Sequence, residues 1–160
     1  MALPGYMKVT GENQGFMESE CDLDGRAGYI VVQGVQHSVK LPTDQRGLPN
    51  GRRVHMPITI IKEVDRTSPM LYQALADGEL LKDVVIDWYQ LDGAGMEEIY
   101  YRQSLKNAQI TAIDFDVEHQ TEVAKARVGH LERVSLIYDS ITWTHELDGI
   151  EYEDNFGAQP

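Results

Sequence analysis

The chain has 160 residues, 26 of them acidic against 14 basic, for a formal net charge of −12. That length fits a single domain, 1–160, that buries roughly 70% of its unfolded surface, and that charge excludes a generic binder of nucleic acid or anionic membrane, whose phosphate contacts need a sizeable basic face. No stretch reaches the about 20 apolar residues of a membrane span, so no membrane insertion is expected; the start MALPGYMKVTGENQ lacks a basic region ahead of an apolar run, and Cys21 alone permits no intrachain disulfide, so the expectation is a chain assembled in the cytoplasm.

An acidic stretch runs from Glu12 to Asp24. Within it Cys21 sits among Glu18, Glu20, Asp22 and Asp24, which disfavour its thiolate, and it reads as an inert thiol. Asp22 and Asp24 in DLDGRAG resemble the start of a calcium loop. Arg26 occupies the third ligand position, however, and Ala27 the position that needs glycine. YIVVQGVQH, 29–37, then reads as a strand.

LPTDQRGLPNGRRVHMP, 41–57, holds three prolines, two glycines and three arginines. Seventeen irregular residues exceed the usual connection, which points to a functional loop or to disorder. Pro42, Pro49 and Pro57 restrict φ and argue against disorder, while Asn50-Gly51 is a tight-turn pair, so the expectation is a stiff, extended, hairpin-like arm. Its charge is unusual: between Lys40 and Arg66 lie six basic residues and only three acids. The pair Gly47 and Gly51 is no phosphate loop, because both the spacing and the following Lys-Ser/Thr are missing.

MPITIIKEV, 56–64, gives another strand. TSPMLYQALADGEL marks one helix at about 69–77: Ser68 caps it, Pro69 suits the first helical position, Gly78 suits the left-handed stop, and Met70, Leu71, Ala74 and Leu75 form one apolar face. At about 14 Å it owes its stability to packing on the sheets. Val84, Ile86 and Trp88 mark a further strand, and Ile99, Tyr101 and Leu105 another. Ile110, Ala112, Asp114 and Asp116 alternate with Thr111, Ile113, Phe115 and Val117 as a half-buried strand. From Leu131 to His145 the β-like run would span about 50 Å, too long for one flat strand. Its apolar face changes parity after Tyr138, which requires a bulge or corner near Asp139-Ser140. The tail from Glu146 to Asp154 carries five acids and no Lys or Arg. The fold class is therefore mainly β: a small barrel or two packed antiparallel sheets, with one short helix and the long loop 41–57.

Catalytic signals are weak. Asp114, Asp116 and Glu118 alternate along one strand face with about 6.6 Å between neighbours, within the broad range used by glycoside hydrolases. Parallel side chains do not flank a bond from opposite sides, so a solvated polar row is the preferred reading. The five histidines, His37, His55, His119, His130 and His145, include no i, i+4 pair and no cysteine cluster, so no metal site is assigned. Neither G-x-S-x-G nor S-x-x-K occurs. No catalytic residue and no cofactor follows.

Five segments in order, YMKVTGENQG, RRVHMPITI at the end of the loop, SPMLYQALADGELL, VVIDWYQ and VSLIYDSITWTHELDGI, resemble the haemolysin-coregulated protein (Hcp) family of bacterial type VI secretion. The resemblance runs through nearly the whole chain. It implies a small β-barrel that forms homohexameric rings, stacked into a tube that a contractile sheath propels from the cell without a signal peptide, with a VgrG-type spike protein at the tip and effector proteins in the lumen. It also implies that the 41–57 loop reaches toward a neighbouring ring. Arg46, Pro49, Asn50, Gly51, Arg52 and Arg53 are then the candidate self-association residues, the arginines docking on acidic surface of the next ring. Two other classes stay open on the residues alone: a secreted monomeric barrel that binds a ligand, and a hydrolase built on Asp114, Asp116 and Glu118.

Overall fold

The computed structural model describes residues 3–117 and 129–155. In chain order the elements are β1 (Gly5–Gly11), β2 (Gly15–Phe16), β3 (Ile30–Gln36), β4 (Val39–Lys40), β5 (Val54–His55), β6 (Ile58–Glu63), α1 (Ser68–Asp77), β7 (Leu81–Leu91), β8 (Glu97–Asp116), β9 (Leu131–Ile137), β10 (Ser140–His145) and β11 (Ile150–Asn155). Six strands close on themselves in the order β1, β3, β6, β9, β8, β7, each antiparallel to its neighbours. A closed sheet has no edge within the ring, and alternate residues point inward to fill it. Met7, Val9, Ile30, Val32, Ile58, Ile60, Val84, Ile86, Leu105, Val134 and Leu136 do so here. Each such side chain contributes about 1.5–3 kcal/mol when fully buried.

The two apolar runs after Ile99 are not separate strands. They join into the 20-residue β8, whose Asn107 has φ +52. A side chain that tolerates the left-handed region lets the strand turn without ending. Before this bend β8 pairs with β7 and with β10; after it, residues 109–116 pair with β9. The corner required between Leu131 and His145 lies opposite, at Tyr138-Asp139, where the Asp139 N–H donates to the Lys106 carbonyl at 3.1 Å. β10 and β11 thus extend the sheet beyond the ring from the first half of β8.

Helix α1 packs against β8 and buries Leu71 and Ala74, with Met70 and Leu75 against the same core. Gly78 ends it as expected, at φ +63 with its N–H bonded to the Leu75 carbonyl. Its start differs from expectation. Thr67 is the N-cap and makes no side-chain cap bond, while Ser68 is the first helical residue. The Ser68 hydroxyl is recruited elsewhere, because the wholly buried Lys62 needs partners: the ammonium pairs with Glu132, lies 3.1 Å from Asp65 Oδ1 and 3.2 Å from Ser68 Oγ, and Ser68 Oγ donates to Glu132 at 2.6 Å. Burial pushes the Asp65 carboxyl upward, but Thr67, the Lys62 charge and Ser19 together hold it below its ordinary value. A buried cation this densely paired costs little; the same cation unpaired is expensive.

Arg26, which ruled out a calcium loop, is buried. Its guanidinium lies 4.3 Å from the Tyr6 ring centroid and 4.2 Å from that of Tyr89, and pairs with Glu97. Asp22 and Asp24 are exposed.

Candidate functional site

The stretch 41–57 forms an arm off the barrel. At its root β4 and β5 pair antiparallel, Val39 opposite His55 and Lys40 opposite Val54. Farther out the Asn50 N–H donates to the Pro42 carbonyl at 2.7 Å, and Thr43 bridges to Pro49. The reversal is at Asp44–Gly47, not at Asn50-Gly51. Asp44 Oδ1 accepts the Arg46 and Leu48 N–H groups at 2.8 and 3.0 Å, the Gly47 N–H donates to the Asp44 carbonyl at 3.0 Å, and Gly47 takes φ +78. An aspartate that closes a turn on its own backbone outcompetes an Asn-Gly pair whose Asn50 N–H is already used in the ladder. Gly51, at φ +101, kinks the returning limb.

The candidate residues therefore divide. Arg46 lies in the terminal turn and is exposed, as are Pro49, Asn50, Gly51 and Arg52 along the return. Leu48, beside the turn, is 56% exposed, and Leu41, Val39 and Val54 are exposed too. Arg53 is engaged within its own chain: Nε and Nη2 donate to the two oxygens of Asp154 at 2.6 Å each. Such a two-pronged contact fixes direction as well as distance.

Asp154 belongs to a cluster that clamps the arm's root to β10 and β11. His55 Nε2 lies 2.7 Å from Asp154 Oδ2 and His55 Nδ1 2.6 Å from the Tyr138 hydroxyl, which is also 2.8 Å from His37 Nε2. Trp143 stacks on both imidazoles, at 6.4 Å and 30° to His37 and 6.5 Å and 22° to His55, and Tyr152 stacks on Trp143 at 6.1 Å and 2°. The Arg53 hydrogen bonds hold the Asp154 carboxyl below the usual range, against the opposing effect of burial and with help from His55. Burial first, then the Asp154 charge, push Tyr138 far upward, so its hydroxyl keeps its proton. Burial and then His55 hold the His37 imidazole below its ordinary value.

None of these clamp residues was singled out for this role from the sequence. His37 and His55 carried a signal only as histidines without metal-ligand spacing, and their partners lie 83 to 101 residues away. Among the described residues no group of three or more His, Cys, Asp or Glu could hold a metal ion. Asp114 and Asp116 lie exposed at the end of β8; Asp114 is in register with Arg133, and the Asp116 carboxylate is 3.8 Å from its guanidinium. Glu118 lies outside the described residues.

A family profile described as "Type VI secretion system effector, Hcp" matches residues 6–145. The chain belongs to the Hcp family. Hcp proteins are secreted tube proteins of the type VI system and are structural, not known as enzymes. The "Major exported protein" of Pseudomonas aeruginosa is 38% identical, over 98% of this chain and 96% of that one. A structure described as "Crystal structure of Hcp protein" superposes with a TM-score of 0.90 at 29% identity, over 96% of this chain and 97% of that one. The secreted protein Hcp3 from Pseudomonas aeruginosa gives 0.79 at 34% identity, over 98% and 99%. The Hcp fold is thus shared over nearly the full length of the chain.

Proposed function

We propose that this Hcp chain, acting as one domain over residues 1–160, assembles into homohexameric rings that stack into the type VI tube. The observation that carries the reading is the arm: a stiffened projection that exposes Arg46 and Leu48 at its far end and Arg52 on its returning limb, on a chain whose remaining surface is strongly acidic. A basic, partly apolar tip matches acidic surface on a second copy, such as the exposed Asp22 and Asp24 or Glu151 and Glu153, and a contact between unlike faces propagates as an open filament. Arg53 is assigned a different part, that of holding the arm's root; Arg46 and Arg52 are the arginines assigned to docking. Assembly takes place in the cytoplasm and export needs no cleaved signal peptide; a spike protein of the VgrG type at the tip, a contractile sheath outside and effector proteins in the lumen complete the machine.

The test is the Arg46→Glu/Arg52→Glu double variant, followed by native mass spectrometry and by sedimentation and electron microscopy across ionic strength. Hexamers are expected to survive, while stacking weakens at least about tenfold. In the wild type, stacking is expected to fall with salt, since charges more than about 10 Å apart are screened at 0.1 M. Undiminished, salt-insensitive tubes from the double variant would remove the docking role, and a monomeric wild type would remove the tube reading itself.

A further inference from the structure

The proton count in the clamp at the arm's root is constrained. Ionised Asp154 only accepts, so His55 Nε2 carries a hydrogen and donates it. In the arrangement with a single hydrogen on His55, the lone pair at Nδ1 takes the one proton of the Tyr138 hydroxyl. The 2.8 Å contact between His37 Nε2 and Tyr138 must take its proton from His37. Every contact in the row from His37 through Tyr138 and His55 to Asp154 and Arg53 is thereby satisfied, with both imidazoles neutral.

One added proton is tolerated. If it enters at His55 Nδ1, the hydroxyl reverses and donates to His37 Nε2, which gives up its own hydrogen to Nδ1. A second proton is not tolerated. Two imidazolium rings would both direct N–H at one hydroxyl whose own proton had lost its acceptor, and the two positive charges would face each other across that oxygen. Asp154 cannot answer both, since it touches His55 and is shared with Arg53. Of the groups packed beside the pair, Trp143 and Tyr152 carry no charge, and Lys40, which lines the same recess as His37, adds a further cation.

We infer that this cluster is an acid-releasable latch, which holds the 39–55 arm on the β10–β11 sheet near neutral pH and lets it go when both imidazoles are protonated. The latched state binds fewer protons than the released one, so its hold is complete above the ordinary imidazole value of about 6.5 and is lost as pH falls through the lowered value of His37. The consequence for tubes, that acid weakens stacking, rests on the docking reading above; the latch itself does not.

Amide hydrogen exchange on the full chain tests it, after correction for intrinsic rates, at about pH 7.5 and about pH 5, on either side of the imidazole range. In the wild type, segment 38–56 is expected to lose at least about tenfold of its protection on acidification while segment 58–63 keeps its own. His37→Gln retains a donor to Tyr138 and cannot charge, so its acid response is expected to shrink below about twofold. Tyr138→Phe removes the shared oxygen and is expected to leave the arm loosened at both pH values. Wild-type protection that ignores pH overturns the latch, and so does a His37→Gln protein that responds as fully as the wild type. Sedimentation of the same samples separates the two readings: an arm that loosens in acid while stacks persist upholds the latch and removes arm docking.

Discussion

The barrel and the arm are held by opposite kinds of interaction. Inside the ring, methyl-rich side chains from six strands exclude water, and the wholly buried Lys62 among them is densely paired. On the arm the apolar residues Leu41, Leu48 and Val54 face solvent, and its hold on the sheet is a row of polar and aromatic contacts at one end. Non-directional burial makes a body tolerant of small changes in its conditions. Directional hydrogen bonds with a fixed proton count make an attachment that is strong in one state and weak in another. The difference locates what is fixed in this protein and what is able to move.

The sharpest way to break the barrel is through its buried charge. Lys62→Ala leaves Glu132 and Asp65 facing each other without a cation, and is expected to cost about 3–5 kcal/mol in urea unfolding. Deleting an apolar neighbour such as Leu105→Ala overlaps that range at about 2–5 kcal/mol, so the comparison is sharpened by Lys62→Met with Glu132→Leu, which should recover much of the loss. Asp154→Asn acts on the arm instead. It removes the anion that Arg53 and His55 share, and is expected to cost about 1.5–3 kcal/mol of local opening, read as lost amide protection at Asn50 and Met56 with segment 58–63 unaffected. The smallest effect is set by pH alone. Because the Asp154 carboxyl is held low, its contribution is complete above about pH 4 and fades as pH falls through that lowered value, so a second weakening of the arm should follow the imidazole step in stronger acid.

How much of this was legible in the sequence follows the range of the interactions. Strands β3, β6 and β7, the glycine that stops α1, and the corner after Tyr138 all announce themselves by local alternation or local stereochemistry. Ser68 was misread as a cap because its true partners, Lys62 and Glu132, are defined only once β6 and β9 lie side by side. Asn50-Gly51 was misread as the turn because the sequence does not say that the Asp44 carboxylate will close one six residues earlier. Asn107 gave no sign that two runs were one strand. The clamp was invisible for a stronger reason: Arg53 and Asp154 stand 101 residues apart, and nothing in either neighbourhood names the other.

The length of β8 has a mechanical meaning. One unbroken backbone forms part of the barrel wall with β9 and then, before Asn107, carries β10, on which β11 and so Asp154 depend. The arm's two ends run on into β3 and β6, both strands of the ring, so a pull on it enters the barrel along the backbone, while the Asp154 contact carries a share across two ladders to β8. Traction applied to the projection is thus delivered to the wall of the barrel, as through a spar built into a hull.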